Sequence, residues 1–190
     1  GYYVISSTLG YDLNGILGLY FPKSESFKPL QILTHMFMHA GFWHLFFNMY
    51  ALFMFGQVLE NVWGPKRFLI YYLVCGLGAA FVHESVIAFE YNNLVKQLSP
   101  EQIETVLSEG ASLLSRNRGF TDPVMQDLQI LLNSPTVGAS GAVFGILLAF
   151  GMLFPNTQLM LLFPPLPLKA NYFVLASAGL ALFLAFAQPG

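Results

Sequence analysis

Thr34-His35-Met-Phe-Met-His39-Ala-Gly41-Phe-Trp-His44-Leu-Phe-Phe-Asn48-Met-Tyr-Ala-Leu-Phe-Met-Phe-Gly-Gln-Val58 is the stretch on which the fold turns. It holds no Asp, Glu, Lys or Arg, and neither do its flanks back to Pro29 and on to Leu59. Its more apolar part, 42–58, approaches the ~20 residues that cross a hydrocarbon core. Three of the chain's four histidines nevertheless fall just before it or at its start. Polar groups at membrane depth are costly and need a reason. The stretch therefore reads both as a membrane span and as the place to look for chemistry.

The rest of the chain supports the membrane reading. Of 190 residues, 55% are hydrophobic and 9% charged, whereas an ordinary soluble domain carries about 25% charge. So few charges would leave a soluble surface with large apolar patches. Further uncharged or nearly uncharged runs occupy 68–88, 137–154 and 170–187, making four spans, and 1–7 reads as the tail of a fifth. Glycine and alanine recur in these runs, as close helix packing in lipid requires. The expected fold is an all-α polytopic membrane helix bundle. The start at Gly1 without Met and the stop just after an apolar run suggest a single membrane domain over 1–190, incomplete at both ends.

Nine of the charged residues lie between Glu90 and Asp127, three basic and six acidic. That segment, 91–134, is expected as a helical insertion on the outer side between the second and third visible spans. Ser99-Pro100-Glu101-Gln102 offers a capping box with proline at the first helical position. Asp122-Pro123 repeats the cap signal before Met125, Leu128, Leu131 and Leu132. One or two amphipathic helices lying over the outer membrane face follow. Lys66 and Arg67, in the link 60–67, and Lys169 place those connections on the cytoplasmic side by the bias of basic residues. The Pro-rich run 163–169 is expected to stop a helix and link spans there.

Several function classes drop out. A net charge of −2 with no basic cluster argues against nucleic-acid binding. Cys75 is the one cysteine, so neither an intrachain disulfide nor a thiolate zinc site can form. His35 and His39 are four apart, but no Glu follows His35 in the His-Glu-x-x-His manner and no nearby carboxylate or cysteine completes a ligand set. Neither a metal nor a cofactor is expected. No Asp lies within a span, which argues against aspartyl chemistry, and no charge deep in a span marks an ion path.

What remains is a hydroxyl facing two donors. His44 and Asn48 are one helical turn apart and project from one face. Val137-Gly138-Ala139-Ser140-Gly141-Ala142 opens the third visible span, setting Ser140 in the first turn of a helix where free N–H groups favour developing negative charge. The alternating topology brings both helix starts to the outer face. A serine opposed by two donors is what acyl transfer needs, because its tetrahedral intermediate carries an oxyanion. The competing reading of each residue alone is plain helix packing. His83, near the outer end of the second span, is the other candidate for a base, although nothing in the sequence aims it at Ser140.

These motifs, His39-x4-His44-x3-Asn48, Gly138-Ala139-Ser140-Gly141 and Glu60-Asn-Val-Trp-Gly-Pro-Lys-Arg-Phe68, taken in order, resemble the rhomboid family of intramembrane serine proteases. The resemblance implies a Ser–His dyad endopeptidase that cuts transmembrane proteins within the lipid bilayer. Ser140 would be the nucleophile, with His44, Asn48 and the Ser140 amide holding the oxyanion. His35 and His39 would support the helix start, flanked by Gly138 and Gly141 at the serine. A multi-pass protein of a bacterial cytoplasmic membrane is expected, its active-site side outward. The family's general base is a histidine on a final membrane helix, and no histidine follows His83. The alternative is a rhomboid-like scaffold that binds membrane proteins without cutting them.

Overall fold

The computed structural model describes residues 12–160 and 167–187, and for 181–182 and 184–187 the backbone alone. Residues 1–7, expected as the tail of a span, lie outside the described residues. The chain is helical almost throughout: α1 (Leu13–Leu17), α2 (Gln31–Thr34) running into a 3-10 turn (His35–Phe37), α3 (Phe42–Ala51), a π-helical turn (Leu52–Gly56), α4 (Gln57–Trp63), α5 (Pro65–Val95), α6 (Pro100–Ser115), α7 (Pro123–Asn133), α8 (Ser140–Leu153) and α9 (Ala170–Ala187). Two short antiparallel strands, β1 (Gln158–Met160) and β2 (Pro167–Lys169), pair Gln158 with Lys169. The end of the Pro-rich run is thus a strand. Pro167 sits at a strand's first residue, a position that tolerates its missing donor.

Phe42–Trp63 and Pro65–Val95 are long and apolar enough to span a bilayer, whereas Ser140–Leu153 is shorter. At ~1.5 Å per residue the 14 residues of α8 rise about 21 Å, less than the ~30 Å hydrocarbon core. Both long helices outrun the expected 42–58 and 68–88. The link between them shrinks to one residue, Gly64, at φ 78°. Pro65 then starts α5, so glycine ends one helix and proline opens the next. Phe81, Val82 and Phe89 of α5 are 75%, 62% and 69% exposed. Such a surface is stable only against lipid or protein.

The chain forms two compact units. The first comprises Gly1–Phe46 and Leu77–Gly141. Its apolar core is Phe21, Leu94, Val106, Leu128 and Leu132, with Ile87 and Tyr91 packed against it. The caps read from sequence are present. Ser99 and Gln102 form a reciprocal capping box, and Asp122 accepts from the amides of Val124 and Met125. The amphipathic faces of α6 and α7, expected to lie on the membrane, are instead buried against each other and the end of α5. The first residues of the segment 91–134 belong to the end of α5, which continues unbroken to Val95. Fully buried Gln129 ties the pair together, donating to the carbonyls of Gly110 at 2.8 Å and Arg118 at 3.2 Å. In the same unit Gly141 presses on Ala79, where a Cβ would collide.

The second unit comprises Phe47–Gly76 and Ala142–Gly190. Leu59 and Ile146 are fully buried in it, and Phe55 packs edge-on against Phe150 with ring centroids 5.0 Å apart. Gly145 lets α8 lie against Cys75, whose Sγ would be 2.5 Å from an added Cβ. The Tyr71 hydroxyl donates to the Gly145 carbonyl at 2.9 Å. This is the small-residue packing expected of helices in lipid.

Candidate active site

The segment that leads into α8 is held from several sides. Thr136 and Leu19 exchange both backbone hydrogen bonds, at 2.8 and 2.9 Å. Two residues on, the Gly138 amide donates to the His35 carbonyl at 3.0 Å. The His35 position is itself fixed. Its ring is buried, and Nδ1 lies 3.0 Å from the Gln31 carbonyl, an acceptor, so Nδ1 carries the proton. Gln31, 2% exposed, accepts from the Lys28 and Tyr20 amides and donates to the Ile16 and Ser26 carbonyls. Thr34 adds a hydroxyl bond to the Leu17 carbonyl at 2.7 Å. A single glutamine thus knots the loop on which the Ser140 approach rests.

Gly138 adopts φ +132°, a region closed to residues with a Cβ. The reason is visible in its surroundings. A Cβ there would stand 2.9 Å from His44 Cε1, 3.1 Å from His44 Nε2 and 3.5 Å from Ser140 Oγ. The imidazole and the hydroxyl therefore converge on one bare backbone position. Ser140 is the first residue of α8, as read from sequence, so its Oγ sits beside the free amides of a helix start.

The tautomer of His44 follows from its other face. The Ala40 amide donates to His44 Nδ1 at 3.4 Å, so Nδ1 presents its lone pair and the neutral ring carries its proton on Nε2. That N–H lies toward Gly138 and the serine. His39 packs edge-on against His44, with centroids 5.2 Å apart. Asn14 Nδ2 donates to the His39 carbonyl at 3.2 Å, bracing the loop below. Asn48 stands one turn further along α3 and is buried. Burial pushes the His35 imidazole below its ordinary range, against hydrogen bonds from it to the backbone that partly restore it. Burial and then the neighbouring His44 push His39 down too. Both rings are thereby biased to the neutral form.

Ser140, Gly138 and His44 are brought together, with His39 and the His35 carbonyl as neighbours. Gly141 is taken up by packing on Ala79. His83, which nothing in the sequence aimed at Ser140, has its Nε2 2.9 Å from the Thr136 hydroxyl, four residues before Ser140. Thr136, Gln31 and Leu19 carry no motif that a reading of residue types would catch. Among the described residues, no group of three His, Cys, Asp or Glu is placed to hold a metal ion.

Comparison with known families settles the lineage. The family model described as the Rhomboid domain matches residues 26–189. The chain belongs to the rhomboid family. Among curated proteins it is 28% identical over 150 residues to Rhomboid protein 1, mitochondrial, of Saccharomyces cerevisiae, a match covering 79% of this chain and 32% of that protein. It is 40% identical over 47 residues to YdcA of Bacillus subtilis, a protein named for the rhomboid proteases, covering 25% of this chain and 24% of that one. The matches thus span about a third and a quarter of these relatives. No solved structure matches the chain with significance. Family and apolar helices together make this rhomboid a membrane protein.

Proposed function

We propose that this rhomboid chain carries the nucleophile and the oxyanion donors of an intramembrane serine endopeptidase. The observation that supports it best is the convergence of Ser140 Oγ and His44 Nε2 on Gly138. Ser140 Oγ attacks the carbonyl carbon of a scissile peptide bond in a transmembrane protein. The new O–C bond places negative charge on the former carbonyl oxygen, which accepts hydrogen bonds from His44 Nε2–H, the Asn48 amide and the Ser140 backbone N–H. Collapse breaks the C–N bond, a proton passes to the leaving amine, and water then releases the acyl group. The proton taken from Ser140 goes to a histidine base, which the family pattern puts on a membrane helix after α9.

His35 and His39 support this site as neutral, buried rings, one through its carbonyl and one by edge-on packing against His44. The basic residues Lys66 and Arg67 face the cytoplasm, and Ser140 and the α6–α7 insertion face the opposite side, in a bacterial cytoplasmic membrane. The alternative reading is a rhomboid-like scaffold that binds membrane proteins without cutting them. Labelling with a serine-reactive fluorophosphonate separates the two. Stoichiometric labelling of the full-length protein in proteoliposomes, abolished by Ser140→Ala, is expected of the protease. Unlabelled full-length protein would leave the scaffold.

A further inference from the structure

We infer that His83 is a positioning residue for the nucleophile, acting through the Thr136 hydroxyl, an inference that rests on the reading of Ser140 above. His83 Nε2 and Thr136 Oγ1 share a hydrogen bond of 2.9 Å. Thr136 is only four residues from Ser140, and the intervening Gly138 is the position on which Ser140 Oγ and His44 Nε2 converge. Thr136 thus lies on the short segment that leads into the serine.

The other bonds on this segment are of a different kind. Leu19 holds the Thr136 amide and carbonyl, and the His35 carbonyl holds the Gly138 amide. Both partners belong to the loop-rich stretch before α3, so those bonds tie one loop to another. His83 belongs to the 31-residue helix α5. Its bond references the approach to Ser140 to a rigid rod rather than to a neighbouring loop. Eighteen residues into α5, His83 lies about 27 Å along it at the ordinary ~1.5 Å rise, close to the ~30 Å depth of the hydrocarbon core. There the ring has a hydrogen-bond partner in the Thr136 hydroxyl. The ring keeps an exposed edge, so its replacement leaves no cavity in a packed core.

The test uses the full-length protein in proteoliposomes with four variants: His83→Leu, Thr136→Val, the double variant, and His83→Gln, whose amide nitrogen can replace Nε2. Two readouts are taken, the rate of fluorophosphonate labelling at Ser140 and amide hydrogen exchange across 136–140. Loss of a single hydrogen bond predicts slower labelling by about three- to ten-fold in each single variant. The double variant should be no slower than either single one, and His83→Gln should recover most of the rate. Exchange at 136–140 should rise in His83→Leu while the α6–α7 pair stays protected. Additive losses, no recovery by glutamine, or unchanged exchange at 136–140 would each overturn the inference. A parent protein that is never labelled sinks the reading of Ser140 instead, and the exchange data still decide whether His83 holds the segment.

Discussion

Gly138→Ala is the most discriminating perturbation of the site. Alanine at φ +132° incurs a backbone strain of about 1–3 kcal/mol. Its Cβ would also stand 2.9 Å from His44 Cε1, where ordinary contact begins near 3.4 Å. One of the two must yield by about half an ångström. Catalytic groups tolerate only ~0.5 Å of misplacement, and loss of one oxyanion donor costs ~10²–10³ in rate. Labelling of Ser140 by a fluorophosphonate should therefore slow by about 10²-fold. Hydrogen exchange across α6 and α7, which supply none of the three atoms nearest a Cβ at Gly138, should not change. If Gly138→Ala is labelled at the parent's rate, His44 and Ser140 do not converge on this backbone position and the proposed oxyanion site is wrong.

Further outcomes follow from the same geometry. His44→Ala and Asn48→Ala should each lose about 2.7–4 kcal/mol of transition-state stabilisation, read as kcat/KM on a transmembrane substrate with Ser140 retained. Equal KM effects with unchanged kcat would make them binding residues only. His35 and His39 are both depressed below the ordinary 6.5, so the unfolded chain binds more protons in acid. Their contribution to stability is complete above pH 6.5 and is lost as pH falls through the depressed values. Thermal midpoints should drop below pH 6.5, and His39→Phe, which keeps an aromatic ring against His44, should flatten that slope. An identical slope in the variant would refute the assignment. Gln129→Leu strips the Gly110 and Arg118 carbonyls of their donor at a cost of about 1–3 kcal/mol. Faster exchange confined to 100–133 should report it, and no change would mean that other contacts hold the pair.

Much of this was readable from residue types because the signals are local. The charge-free runs mark apolar helices, Ser99 and Asp122 mark helix starts, and Gly41 breaks the chain just before Phe42. His44, Asn48 and Ser140 stood out as candidates because residue spacing on a helix fixes relative direction, and because a serine flanked by Gly138 and Gly141 at a helix start is chemically conspicuous. Helix ends were less legible. Hydropathy fades at Ala88, yet α5 runs to Val95 because Tyr91 and Leu94 find protein partners in Val106 and Leu128. The burial of α6 against α7 was invisible for the same reason: an amphipathic face looks alike whether lipid or another helix covers it. The bond between His83 and Thr136 joins residues 53 apart, and such a contact exists only once the chain has folded.

The continuation of α5 to Val95 also sets how this protein can be trimmed. Ile87, Tyr91 and Leu94 are roofed by α6 and α7, with Phe21 completing the floor. Excising 100–133 while keeping α5 whole would uncover those side chains, an invitation to aggregate. The added segment is thus not an ornament slipped into a connector. It comes with its own foundation, and a shortened version must give up the last two turns of the helix beneath it.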